Sequence, residues 1–243
     1  MTTKLNRFFA LTAIVSLTGI GTQALADSQN SGNTVYISEN STNVGQTVNL
    51  VLPVQPSVEN NYFSGSLNIT TGASLKQDGS IANGASFLAY CIDPLQYTSS
   101  SPVAYSNALL SSLGSTRETE ISNLYSQSYA STAGNSLKSS AFQLALWELA
   151  KDDGVLTTGG VHITNSTDAS VVTEANSMIS SATHGTVGAN HYSFNLYTSG
   201  TNQDFLVATL SSVTPVPEPE SYAMLLAGLG LIGFTARRRQ TSR

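Results

Sequence analysis

The stretch SSAFQLALWELAKD, residues 139–152, carries the clearest structural pattern in this chain of 243 residues. Its apolar side chains recur three and four positions apart, at Phe142, Ala145, Leu146 and Leu149. This spacing puts them on one face of a helix, so the sequence predicts an amphipathic α-helix over 138–152. Gly154 follows shortly afterwards and is a typical helix stop.

Gln143 and Trp147 share a neighbouring face of this helix, one turn apart. The glutamine either lies at the edge of the apolar stripe and faces water, or turns inward towards a hydrogen-bond partner. The edge is the more common place for a glutamine. The helical pattern by itself is compatible with both placements.

The rest of the chain between its termini is rich in strand patterns. Runs of β-branched and aromatic residues, separated by Gly and Asn, predict strands over 34–39, 46–54, 62–71, 86–92, 191–198 and 204–211. Two further helices are predicted over 118–129 and 168–182, the second with Asp168 as its N-cap. This order predicts an α+β fold, a β-rich sandwich- or barrel-like domain with two or three inserted helices.

The N-terminus has the layout of a secretory signal peptide. Lys4 and Arg7 precede an uncharged, largely apolar run that is short for a membrane span, and the small residues Ala24 and Ala26 follow on either side of Leu25. The sequence therefore predicts a signal peptide over 1–26, cleaved after Ala26, and an exported chain.

The C-terminus carries a second targeting pattern. Pro217-Glu218-Pro219 is followed by a mostly apolar stretch over 222–236 and by three arginines at 237–239. This order resembles the PEP-CTERM sorting tail of Gram-negative, exopolysaccharide-producing bacteria. The resemblance implies a short transmembrane helix, cleavage near the Pro-Glu-Pro motif by an exosortase-type membrane protease, and release or transfer to the cell surface or matrix. A plain C-terminal membrane anchor is the alternative.

These segments leave one exported domain over 27–214, with the sorting signal over 215–243. The domain holds thirteen acidic and four basic side chains, a net charge of −9. A surface of this sign repels phosphate backbones, which argues against a nucleic-acid partner.

Cys91, within SFLAYCIDP at residues 86–94, is the one cysteine of the chain. In an exported protein, a leftover cysteine indicates an intermolecular bridge, a reactive thiol or a small buried apolar residue. A cysteine hydrolase would need a base such as His162, His184 or His191, and none of these stands in a recognisable motif. Their spacing likewise predicts no metal site, and no cofactor is expected.

Tyr90-Cys91-Ile92-Asp93, followed some fifty residues later by Gln143 to Trp147, resembles the motif pair of bacterial surface thioester domains. The resemblance implies an internal bond between the Cys91 sulphur and the side-chain carbonyl carbon of Gln143. That family usually has Thr before the glutamine, where this chain has Phe142.

A thioester acylates amines and hydroxyls readily, so it must be kept away from bulk water. Tyr90, Phe142 and Trp147 are the residues expected to form the wall of such a pocket, and Asp93 is expected to hold a backbone or substrate hydrogen bond.

The resemblances imply an exported surface or matrix protein, with an inner-membrane intermediate, that attaches covalently to a nucleophile on a protein, glycan or small molecule. Each molecule would react once, so no enzymatic activity is expected. The alternative is a passive structural component of the exopolysaccharide or biofilm matrix with a buried, unreactive Cys91.

Overall fold

The computed structural model describes residues 34–53, 55–185 and 191–211, together with residues 224 and 226–229. The predicted signal peptide with its cleavage site after Ala26, the Pro217-Glu218-Pro219 motif and most of the predicted membrane helix over 222–236 lie outside the described residues. Within the part of the chain that is described, no helix combines the length and the apolar character that crossing a bilayer requires.

The described residues form a sheet of seven strands and three α-helices. The strands are β1 (Thr34–Leu52), β2 (Gln55–Gly72), β3 (Ala85–Cys91), β4 (Val103–Ala108), β5 (His162–Ile163), β6 (Tyr192–Thr198) and β7 (Phe205–Leu210). The helices are α1 (Ser115–Ser128), α2 (Ser136–Lys151) and α3 (Ala169–His184), with short 3-10 turns at Leu110–Leu113 and Tyr129–Thr132. This mixture of sheet and helices agrees with the predicted α+β class.

The sheet closes on itself. Its strand order is β2-β3-β7-β6-β4-β1-β5, and β1 also pairs with β2. Every pairing is antiparallel. Six strands therefore form a closed ring, and the short β5 is attached to the far end of β1.

Helix α2 is the most deeply buried element. Twelve consecutive residues, from Ser139 to Ala150, are buried, and the helix contacts β1, β2, β3, α1 and α3. Helices that are apolar on nearly every face occupy protein interiors. Because the helix lies so deep, four of its polar side chains are buried in the core: Ser139, Ser140, Gln143 and Glu148.

The long hairpin of β1 and β2 bends where α2 begins. The pairing register shifts between Thr42 and Gly45, and Gly45 lies opposite Gly65. A Cβ atom on Gly45 would collide with the Ser64 carbonyl oxygen, and a Cβ atom on Gly65 with the Val44 carbonyl oxygen. The bend therefore requires two glycines facing each other.

Two serines dock the start of α2 onto this bend. Ser139 Oγ donates to the Val44 carbonyl at 2.6 Å and accepts from the Ser66 amide at 3.3 Å. Ser140 and Ser64 donate to each other's carbonyl oxygens at 2.7 and 2.8 Å. The interrupted ladder thus exposes backbone groups that the helix then satisfies.

The observed elements confirm most of the predicted ones and correct two points. The three predicted helices are present, and Asp168 caps α3 by accepting from the Ser170 amide at 2.8 Å. The predicted strands 34–39 and 46–54 are one bent strand, because bulges absorb the turn-like residues between them. Strands β4 and β5 were missed, because the β4 segment contains the Ser and Asn that typify loops and β5 is only two residues long.

The facing glycines generate a stability prediction. Gly65 has a φ of +154° and no room for a Cβ atom, so Gly65→Ala should lower the free energy of unfolding by about 2–3 kcal/mol. Urea denaturation of the purified chain measures this. Gly200→Ala is the matched control, because nothing lies within 4 Å of a Cβ atom there, and equal stability of the two variants would contradict the close approach.

Candidate functional site

Cys91 is the last residue of β3 and lies at the edge of a pocket. It pairs with Phe205 of β7, is 5% exposed, and its thiol is free. Burial raises the pKa of the Cys91 thiol well above its usual value, and the nearby charge of Glu39 raises it further. The thiol is therefore protonated at neutral pH.

Gln143 turns inward and binds the backbone of Cys91. Its Oε1 accepts from the Cys91 amide at 2.9 Å, and its Nε2 donates to the Cys91 carbonyl at 2.7 Å. The side chain is fully buried. The sequence was compatible with Gln143 facing water at the edge of the apolar stripe or turning inward. The structure has the inward placement, and the hydrogen-bond partner lies 52 residues earlier in the chain.

The strand pairing explains why the Cys91 backbone is available to a side chain. The ladder between β2 and β3 ends at the pair Leu67 and Ala89, whereas β3 continues to Cys91 alongside β7. In an antiparallel strand, the amide and carbonyl of one residue point to the same side. The carboxamide of Gln143 therefore takes the place that β2 leaves open.

The other predicted site residues lie in three different places. Trp147 lines the same pocket as Cys91 and is 2% exposed. Tyr90 and Phe142 instead belong to an aromatic cluster, with ring centroids 4.7 Å apart, and they are absent from the pocket lining. Asp93 pairs with Lys151 at 3.1 Å and accepts from the Leu95 amide at 2.9 Å.

Phe142, which stands where thioester domains usually have Thr, faces this aromatic cluster. Its ring lies against Tyr125 and Tyr129 as well as Tyr90, with centroid distances of 4.9 and 5.8 Å to the first two. Tyr90 in turn hydrogen-bonds Ser139 through its hydroxyl at 2.8 Å. Tyr90 and Phe142 thus hold α2 against β3 without lining the pocket.

The pocket beside Cys91 has a volume of about 380 Å³. Sequence reasoning missed several of its lining residues, among them Tyr62, Gln96, Tyr97 and Gln203. Gln96 and Tyr97 follow Cys91 closely in the chain, a proximity that could have drawn attention to them, whereas no local signal indicates Tyr62 or Gln203.

Two polar atoms at this pocket have no hydrogen-bond partner within the described residues. They are the indole nitrogen of Trp147, a donor, and Oε1 of Gln96, an acceptor. None of His162, His184 and His191 lines the pocket, so no imidazole is in place as a base for the cysteine.

The C-terminal segment matches a known family. Residues 215–239 match the PEP-CTERM protein-sorting motif, which confirms the resemblance predicted for this segment. The motif implies an exported protein of Gram-negative bacteria that is sorted at the membrane and processed by an exosortase.

Two solved structures of the N-terminal thioester domain of a surface protein from Clostridium perfringens are similar to this chain. One has 13% sequence identity and a TM-score of 0.41, and the match covers 73% of this chain and 99% of that domain. The other, a cysteine-to-alanine mutant, has 12% identity and a TM-score of 0.40 over 59% of this chain and 89% of that domain. The chain is thus similar in structure to the thioester domain of a surface protein, the resemblance that the motif pair predicted. No curated protein matches the sequence.

The hydrogen bonds between Gln143 and the Cys91 backbone generate a second stability prediction. It is best tested in a Cys91→Ala variant, in which residue 91 has no thiol and cannot form a covalent bond to Gln143. Adding Gln143→Leu keeps most of the volume but leaves a buried amide and carbonyl of residue 91 unpaired. We expect the free energy of unfolding to fall by about 2–4 kcal/mol. Gln127→Leu, on an exposed position of α1, serves as the control and should change it by less than about 0.5 kcal/mol. Equal effects in urea denaturation would show that the two hydrogen bonds add nothing to stability.

Proposed function

We propose that Cys91 and Gln143 form an internal thioester, through which this exported protein attaches covalently to a nucleophile on a partner molecule. The observation that carries the proposal is the double hydrogen bond between the Gln143 carboxamide and the Cys91 backbone. It keeps the acyl carbon of one residue beside the residue that bears the thiol. Such pre-positioning converts a slow encounter into an intramolecular reaction.

The hydrogen bonds also suit the chemistry of bond formation. The Cys91 sulphur attacks the side-chain carbonyl carbon of Gln143, negative charge develops on Oε1, and the Cys91 amide already donates to that oxygen at 2.9 Å. Donors aimed at a developing oxyanion lower the barrier to acyl transfer. The carbon–nitrogen bond then breaks, and ammonia leaves with the thiol proton. A carbon–sulphur bond replaces the carbon–nitrogen bond, so no oxidant or cofactor is needed.

The residues around Cys91 and Gln143 would shield a thioester from water and still allow a nucleophile to reach it. Gln143 is fully buried, and Cys91 and Trp147 are 5% and 2% exposed, so bulk water is largely excluded. The pocket is lined by Cys91 but not by Gln143, and we propose that a partner nucleophile would approach the bond from the Cys91 side. Attack by that nucleophile on the acyl carbon would leave Gln143 bonded to the partner and release the Cys91 thiol, once per molecule.

The sorting motif supports the setting of this reaction. Export and exosortase processing would carry the domain through a membrane-bound intermediate to the cell surface or extracellular matrix, where partner proteins and glycans offer amines and hydroxyls. The rival proposal is a passive structural component of the exopolysaccharide or biofilm matrix. The burial of Cys91 favours it, because a thiol with a raised pKa is a weak nucleophile at neutral pH.

The bond is tested by peptide mass mapping of the purified full chain. Trypsin cuts after Lys76, Arg117, Lys138 and Lys151, so Cys91 lies in peptide 77–117 and Gln143 in peptide 139–151. We expect these two peptides to be joined, with a combined mass lower by one ammonia. Methylamine treatment before digestion should separate them, add to Gln143 and free Cys91 for alkylation.

Three variants make the result specific. Cys91→Ala and Gln143→Ala should abolish both the joined peptides and the methylamine adduct, while Gln127→Ala should leave them unchanged. A native chain with Cys91 alkylated before methylamine treatment and an unmodified Gln at 143 would overturn the proposal in favour of the passive role. A Glu at 143 in the native chain would instead indicate a bond that formed and was hydrolysed.

A further inference from the structure

Three carboxylates converge where α2 ends. Glu148 lies in the last turns of the helix, Asp152 is its C-cap, and Asp153 follows. One oxygen from each side chain lies within 4.8 Å of the oxygens of the other two. Glu148 is 2% exposed, Asp152 is half-buried and Asp153 is exposed, so the cluster runs from the core to the surface.

This arrangement concentrates negative charge where the helix itself is negative. The C-terminal end of an α-helix carries a partial negative charge and favours cations there. The nearest basic residue in the chain, Lys151, pairs instead with Asp93, Nζ to Oδ2 at 3.1 Å. Among the described residues, no ion pair joins a lysine or arginine to the three carboxylates.

Glu148 supplies a second, independent observation that points to a ligand. Its Oε2 is buried and has no hydrogen-bond partner within the described residues. Buried polar atoms nearly always have partners, and this one belongs to a side chain that places an oxygen within 4.8 Å of the other two carboxylates.

The other two carboxylates are held in position by the loop that follows. Asp152 Oδ2 accepts from the Val161 amide at 2.6 Å. Asp153 accepts from the Val155 amide at 2.9 Å and from the Thr158 hydroxyl at 3.0 Å. These neutral donors orient the carboxylates without cancelling their charge.

We propose that Glu148, Asp152 and Asp153 bind a divalent cation, with Ca²⁺ as the best match. A ligand set made of carboxylate oxygens selects hard cations such as Ca²⁺, Mg²⁺ and Mn²⁺. Oxygens bound to Ca²⁺ lie about 2.3–2.6 Å from the ion, so oxygens up to roughly 5 Å apart can contact one ion. Oxygens bound to Mg²⁺ lie at about 2.0–2.1 Å and require stricter geometry. Water completes the coordination.

The cation would join the end of α2 to the loop that leads into β5. That loop spans residues 152–161, and the β5 strand after it pairs with Leu50 and Val51 of β1. The ion would thus brace this connection between the helix layer and the sheet. The sequence-based expectation of no metal rested on the three histidines, and a site made of carboxylates requires none of them.

The site is tested on the purified full chain, stripped of metal with a chelator. Ca²⁺ should raise Tm and saturate with a Kd of about 10⁻⁴–10⁻³ M, the range of extracellular calcium modules. Tb³⁺, which replaces Ca²⁺ at oxygen sites, should give luminescence sensitised by Trp147, the one tryptophan in the chain and the neighbour of Glu148. Added Ca²⁺ should quench this signal by competition.

Conservative variants identify the ligands. Glu148→Gln should weaken Ca²⁺ binding at least about tenfold, and Asp153→Asn, at an exposed position where folding is not at risk, should weaken it in the same direction. Glu120→Gln removes one negative charge from α1 and is the matched control. The proposal fails if millimolar Ca²⁺ leaves Tm unchanged, or if Glu120→Gln reduces binding as much as Glu148→Gln does. Cys91→Ala should leave Ca²⁺ binding intact, because the cation site is independent of the thioester.

Discussion

Helix α2 runs through the interior with polar side chains at several points along its length, and each of them needs a partner there. A buried polar group left unpaired costs roughly 1–3 kcal/mol, so the partners fix both the depth and the rotation of the helix. Ser139 and Ser140 meet the bend of β1 and β2, and Gln143 meets the end of β3. The hydrogen-bonding needs of one helix therefore decide how sheet and helices fit together.

The need to pair buried polar groups also forms the candidate site. Strand β3 extends beyond its pairing with β2, and its last residue is left with a free amide and carbonyl that Gln143 completes. The Gln143 side chain, which completes these hydrogen bonds, also carries the acyl carbon of a carboxamide. Cys91, the residue that it binds, carries the one thiol of the chain. Fold stability and the proposed covalent chemistry would therefore be coupled, because a change that releases Gln143 from Cys91 would weaken both.

Glu148 is the exception among the buried polar residues of α2, since one of its oxygens finds no partner within the described residues. The chain has few cations to offer, with four basic side chains against thirteen acidic ones between residues 27 and 214. With so few basic side chains in the domain, its acidic groups are neutralised most readily by cations from the surrounding solution. Export, which the sorting motif implies, would expose the proposed site to cations outside the cytoplasm.

The sequence by itself determined the features that depend on neighbours along the chain. These are the three helices, most strands, the α+β class and the sorting segment, because periodicity, capping and targeting patterns are local. The pairing of Cys91 with Gln143 came from a family resemblance, since no local property links residues 52 positions apart. Only the tertiary structure decided the inward turn of Gln143, the merging of two predicted strands into β1, the pocket containing Tyr62 and Gln203, and the burial of Glu148. Each of these depends on contacts between distant segments, and such contacts exist only once the chain has folded.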